Sequence, residues 1–197
     1  IIYISRKLKK VTHLSNSGYI RISLNNVIGL LDVAPIGPDY LPGHAHADTL
    51  SFELSLFRQR LFVNSGTSEY EIGPIRQYER STKAHNTVVI DNENSSEVWS
   101  GFRVARRANV LNIKTKQSDN NIKVSACHDG YKRLKGRPIH KREWISFENR
   151  LIINDSISGK GLHRVKSVLP LHPEAIILST QENSVELEVN RRLVKIV

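Results

Sequence analysis

The 197-residue sequence contains no methionine, even at its first position, and a single cysteine, Cys127. One cysteine excludes an internal disulfide framework and any cysteine-rich zinc site. The missing initiator leads us to expect a fragment of a longer protein or a trimmed chain. No stretch approaches the ~20 apolar residues that a membrane helix needs. "IIYISRKLKK" (1–10) places its apolar residues before its charges, the reverse of a secretory signal. Helix-period patterns are scarce, and no internal repeat, low-complexity linker, or DNA- or RNA-binding motif is visible. Residues 1–197 are therefore expected to form one domain, long enough to bury a core.

What is present is basic charge and period-two patterning. The formal net charge is +10, with small clusters at "RKLKK" (6–10) and "RVARR" (103–107) and the rest spread along the chain. This suits either a solvated basic surface or an anionic partner, and an acidic glycan fits a β-rich chain better than nucleic acid does. Segments 19–33, 50–57, 60–66, 86–92, 102–117, 121–130, 140–149, 150–159, 163–172, 175–181 and 184–190 all read as strands. They are short, rich in Val, Ile, Leu and Phe, and bounded by turn formers. "SDNN" (118–121), "SFENR" (146–150) and "QEN" (181–183) read as hairpin turns. The expected fold is all-β: a large antiparallel β-sandwich of about a dozen strands. Residues 34–48 and 65–85 break the pattern. They are rich in glycine, proline, polar and aromatic residues, and are expected to be long functional loops.

One loop ends in "GHAHADTLSF" (43–52). If the strand over 50–57 extends backward, His44, His46 and Asp48 share a face with Leu50 and Phe52. Partly desolvated polar groups there need partners. His85 stands just before the strand "NTVVIDN". Two or three histidines and one side-chain oxygen suit zinc. On spacing alone, a His-x-His pair on a strand edge is more often structural than metal-binding. His13, His128, His140, His163 and His172 are scattered and read as surface or satisfied buried histidines.

"GPDYLPGHAHADTLSFELSLFRQRLFVNSGTSEY", followed by "RSTKAHNTVVIDN" and "FRVARRANV", resembles the heparinase II/III-like family in its C-terminal β-sandwich domain. "HDGYKRL", "RLIINDSISG" and "LPLHPEA" fit the same pattern, so the resemblance runs from about Ser17 to the low 180s. It implies a polysaccharide lyase that cleaves uronic-acid-containing acidic glycans, such as heparan sulfate or alginate, by β-elimination. The substrate cleft would lie between this sandwich and an N-terminal α/α toroid of the same protein, which the present chain lacks. The isolated chain is therefore expected to be inactive, and a non-catalytic glycan-binding module is the alternative. The resemblance makes His44 the cleft histidine, acting as acid/base or substrate contact, with Tyr70, Arg76, Tyr78 and Arg80 as candidate substrate contacts. It makes His46 and His85 zinc ligands. The family's third ligand is the aspartate of "VDSGT", which here reads "VNSGT", so the position is Asn64. A neutral His-His-Asn set holds zinc more weakly, or stands as a metal-free hydrogen-bonded cluster. Family members are often secreted or periplasmic, and that location is the expectation here.

Overall fold

A computed structural model describes residues 10–197. The "RKLKK" cluster therefore lies, but for Lys10, outside the described residues. The first sheet holds β1 (Val11–Leu14), β2 (Tyr19–Leu24), β3 (Val27–Asp32), β4 (Phe52–Leu56) and β5 (Gln59–Phe62), antiparallel and in chain order. Then come a short helix α1 (Pro74–Arg80), a 3-10 turn (Thr82–Ala84), β6 (Val88–Ile90), and the small pair β7 (Val98–Trp99) and β8 (Arg103–Val104). The second sheet is β9 (Val110–Gln117), β10 (Ile122–His128), β11 (Ile139–Ser146) and β12 (Leu151–Ser158). β13 (Val165–Ser167) pairs with β6, and β14 (Ile176–Gln181), β15 (Ser184–Val189) and β16 (Arg192–Ile196) form a closing meander.

The fold is a sandwich because alternation on the two large sheets points one apolar face inward from each. Ile20, Ile22 and Leu24 of β2, Leu31 of β3, and Phe52 and Leu54 of β4 meet Ile122 and Val124 of β10 and Trp144 of β11. Leu187 and Val189 of β15 close the same core. At about 25 cal/mol per Å2 of buried apolar surface, each large side chain there contributes roughly 1.5–3 kcal/mol.

All three expected hairpin turns join consecutive antiparallel strands. Several boundaries differ from expectation. Segment 19–33 is two strands, because Asn25 adopts φ 45° and turns the chain back. Segment 102–117 divides into β8 and β9. β1, β7 and β16 had no strand expectation, and α1 sits inside a segment expected to be irregular. Pro74 starts α1, where its missing N–H costs nothing. The buried side of α1 is Arg76, Glu79 and Arg80, so it carries helical spacing in charged residues, where an apolar pattern cannot reveal it.

Candidate functional site

The stretch Gly43–Ser51 belongs to no strand, with turns at Gly43–His44 and Thr49–Leu50, and β4 begins only at Phe52. Side chains grip its backbone instead. The Gly43 carbonyl accepts from Arg76 Nη2 at 3.1 Å, Ala45 from Arg80 Nε at 3.1 Å, Ala47 from Thr82 Oγ1 at 2.7 Å, and Thr49 from Thr87 Oγ1 at 3.0 Å. Asn86 Nδ2 donates to the carbonyls of Phe52 and Val63. The second motif, "RSTKAHNT", thus acts as a row of side-chain donors that takes the place of a neighbouring strand, at about 0.5–1.5 kcal/mol net per bond.

This corrects the expected parity. Ala45, Ala47 and Thr49 are buried, His44 is exposed, and His46 and Asp48 are half-buried. The histidines therefore face away from the core that holds Leu50 and Phe52. Leu50 re-phases the chain: it is fully buried at φ 61°, a left-handed conformation costly for a residue with a Cβ. Its carbonyl accepts from Arg142 Nη1 at 2.9 Å.

His46 and His85 meet, with His46 Nδ1 3.1 Å from His85 Nε2. His85 is buried, and its Nδ1 lies 2.8 Å from the Ser81 carbonyl. That carbonyl can only accept, so Nδ1 carries the proton and Nε2 presents a lone pair toward His46. His46 Nε2 lies 3.3 Å from Thr67 Oγ1. Burial, then the His85, Arg76 and Arg80 charges, push His46 down to about 4, so it is neutral at neutral pH. Asn64 runs alongside, since Ser65 N donates to Ala84 O at 3.4 Å and the Val63 carbonyl accepts from Asn86. Asn64 Oδ1 is buried without a hydrogen-bond partner. Among the described residues seven buried side-chain atoms share that condition, and five of them, on Thr49, Ser51, Asn64, Glu79 and Asn86, belong to these loops or border them. A buried amide oxygen such as Asn64 Oδ1 has lone pairs that can accept from a donor or bind a cation.

Asp48, singled out in the sequence only for its parity, lies near His85. Burial raises its carboxyl and the nearby His85 draws it back. Burial, then Asp48, also raises Asp32, so the two carboxyls favour holding a proton.

His44 stands at the surface, its ring edge-on to Tyr70 with centroids 5.7 Å apart. Tyr70 stacks on Phe102 at 6.2 Å, and both rings are about half exposed. The Arg76 guanidinium lies 5.4 Å from the Tyr70 ring and 5.7 Å from that of Phe102. Phe102 went unnoticed in the sequence, where it reads as one more strand residue. Tyr78 is exposed on α1.

Arg76 and Arg80 depart from expectation. Both are fully buried. Arg80 donates to the carbonyls of Ala45, Trp99, Ser100 and Arg103, and Arg76 to those of Gly43 and Gly101 and to Thr67. A buried guanidinium directed at fixed carbonyls braces three loops and is not placed to meet a carboxylate arriving from solvent.

The heparinase II/III-like C-terminal family model matches residues 6–195. The heparan sulfate lyase HepC of Pedobacter heparinus is similar in structure, with a TM-score of 0.70 at 18% identity, covering 91% of this chain and 27% of that one. A heparinase III gene product gives 0.69 at 21% identity, covering 89% and 26%. A second heparinase III structure gives 0.66 at 17%, covering 88% and 27%. The chain thus spans about a quarter of the length of the structures it matches. No curated protein matches the sequence.

Proposed function

The chain belongs to the heparinase II/III-like family, as its C-terminal β-sandwich domain, and from that premise we propose that it forms one wall of the cleft of a lyase that cleaves acidic, uronic-acid-containing polysaccharides by β-elimination. The observation that carries this reading is His44. It is the exposed member of the histidine motif, it sits against an exposed aromatic pair, and the second motif grips the segment that bears it. β-Elimination requires removal of the proton on the carbon next to the uronate carboxyl, neutralisation of that carboxyl, and protonation of the departing glycosidic oxygen. His44 therefore serves as the proton-transfer or leaving-group contact of this wall, while Tyr70 and Phe102 present faces to the sugar. Arg76 and Arg80 are positioning residues, and Tyr78 flanks the approach. An N-terminal toroid in the same protein supplies the remaining catalytic groups.

The reading extends to zinc at His46, His85 and Asn64. Two ligands on one tetrahedral zinc at about 2.0–2.1 Å stand roughly 3.3 Å apart, close to the 3.1 Å between the two ring nitrogens. A hydrogen bond has that length too, but the unpartnered Asn64 Oδ1 is an acceptor that the histidine pair alone leaves unexplained. His46, His85 and Asn64 would hold the ion, and a zinc bound there would tie the 43–52 segment to the 85–87 segment. The chain's own part is to orient both imidazoles, through Ser81 O on one and Thr67 Oγ1 on the other.

The test is to incubate the full-length protein with heparan sulfate and with alginate and follow the ultraviolet absorbance of the unsaturated uronate product. Product from either polymer supports the lyase reading. Glycan binding with no product supports the alternative of a binding module, which the aspartate-to-asparagine departure at position 64 favours.

A further inference from the structure

The outward face of the second sheet carries a cationic concavity that the lyase reading does not use. It encloses about 430 Å3, and its walls are Lys114 and Lys116 of β9, Lys123 of β10, and Lys141 and Glu143 of β11. Strand register explains the gathering. Lys116 is directly opposite Lys123, Lys114 is opposite Ser125, and Ser125 is opposite Glu143. Val124 and Ala126 turn into the core, so these alternate residues turn out. Asn112 adopts φ 55° where the register of β9 and β10 shifts, and its side chain reaches in toward Cys127. A bulge at an edge strand bends the sheet and hollows this face.

The charge balance is what needs explaining. Like charges directly opposite one another in a sheet destabilise it. Glu143 is the one carboxylate of the concavity, and it is shared by Lys123 at 3.1 Å and Lys141 at 2.9 Å. Among the described residues Lys114 and Lys116 pair with no acid. A four-lysine surface with one shared counter-charge is arranged to receive anions. No aromatic ring lines it, so nothing offers a base a stacking platform.

We propose that this face is a second polyanion-binding subsite, taking the sulfate or carboxylate groups of an acidic polysaccharide chain at a place separate from the His44 cleft. Lys116 and Lys123 make the central contact, and Lys114 and Lys141 extend it along and across the sheet. The subsite increases retention on long chains and leaves turnover of short ones unchanged.

The test uses the full-length protein with Lys116→Gln/Lys123→Gln, both on the surface, and with His44→Ala for comparison. The probes are long heparan sulfate chains, a heparan sulfate tetrasaccharide, and single-stranded DNA, titrated over a range of salt concentrations. Counterion release makes affinity for a polyanion fall with salt in proportion to the contacts made. The double variant should bind long chains at least tenfold more weakly, with a shallower salt dependence, while its far-ultraviolet circular dichroism and its behaviour toward the tetrasaccharide stay native. His44→Ala should keep this binding. Unchanged affinity and salt slope in the double variant would overturn the proposal, as would tighter binding of DNA than of glycan through these lysines. Absence of lyase product with lysine-dependent glycan binding intact would defeat the lyase reading and leave this subsite standing.

Discussion

Two histidine pairs in this molecule share one geometry and differ in everything around it. His46 and His85 meet at 3.1 Å with their rings at 69°, and His128 and His140 meet at 3.1 Å with their rings at 88°. The second pair is closed. His128 Nδ1 accepts from Gly130 N, and His140 Nε2 lies 2.7 Å from Asp155 Oδ1. Arg142 grips both oxygens of that carboxylate; His128, His140 and Arg142 are fully buried, and only the Asp155 side chain, at 19%, reaches solvent. The first pair is open. It is held by a carbonyl and a hydroxyl, joins the buried His85 to the half-buried His46, lies near Asn64 with its unpartnered Oδ1, and neighbours an exposed third histidine. A ring-to-ring contact alone therefore says nothing of function. What distinguishes the pairs is whether the surrounding acceptors are already satisfied. The closed pair also serves the open one, because Arg142 Nη1 donates to the carbonyls of Leu50 and Asn86 and so ties both motif segments to the second sheet.

Breaking the closed cluster should have the largest effect. Asp155→Ala leaves Arg142 buried without its counter-charge and should cost about 3–5 kcal/mol, read from chemical unfolding. Asp155→Asn should cost less. A loss below about 1 kcal/mol would mean that Arg142 finds another partner.

Acid should act next, through the same cluster. Burial lowers His128 well below the ordinary imidazole range, with His140 and Arg142 adding to the effect. Burial also lowers His140, against the pull of Asp155. Below the ordinary imidazole value of about 6.5 the unfolded chain takes up protons that the folded chain refuses, so stability falls as pH drops through that value. The slope is at most about 1.4 kcal/mol per pH unit for each proton. Asp155 is held below the usual carboxylate range by Arg142 and His140 in spite of its burial, so its own contribution is lost only at lower pH, beneath about 3.9. Unfolding midpoints measured from pH 8 to 4 should show the loss beginning near pH 6.5, and His128→Gln should flatten it.

The open pair should matter less to stability and more to metal. His46→Ala should cost about 1 kcal/mol, the net value of one hydrogen bond, yet abolish zinc retained through purification without chelator, as read by elemental analysis. Zinc retained in His46→Ala, or absent from the native protein, would reduce the pair to a hydrogen-bonded cluster. The smallest expected change sharpens the contrast: Asn64→Asp restores a charged oxygen and should tighten zinc about tenfold, roughly 1.4 kcal/mol, in competition with a chromogenic chelator.

The sandwich was legible because strands half-buried between two sheets must alternate, and Asn and Ser turns mark their ends. The motif pair was legible as a resemblance, and its function as a set of side-chain donors was not, since Arg80 reads as a substrate contact, Thr82 as a loop residue and Thr87 as a strand residue until their carbonyl partners are known. The parity of His44 and His46 failed because Gly43–Ser51 follows no ladder and Leu50 re-phases the chain. The His128–His140–Asp155–Arg142 cluster was invisible for a different reason. Its members lie on three strands, and only the register of β10, β11 and β12 brings them together.

The central claim is that His44, and not the buried histidines behind it, acts on substrate. The direct measurement is the rate of unsaturated-product formation from heparan sulfate by the full-length protein and by His44→Ala, with unfolding recorded for both. We predict a rate reduced at least 100-fold, as removal of a general acid–base group implies, with an unfolding midpoint unchanged for so exposed a residue. An unaltered rate in a folded His44→Ala protein, or products lacking the unsaturated uronate, would contradict the account.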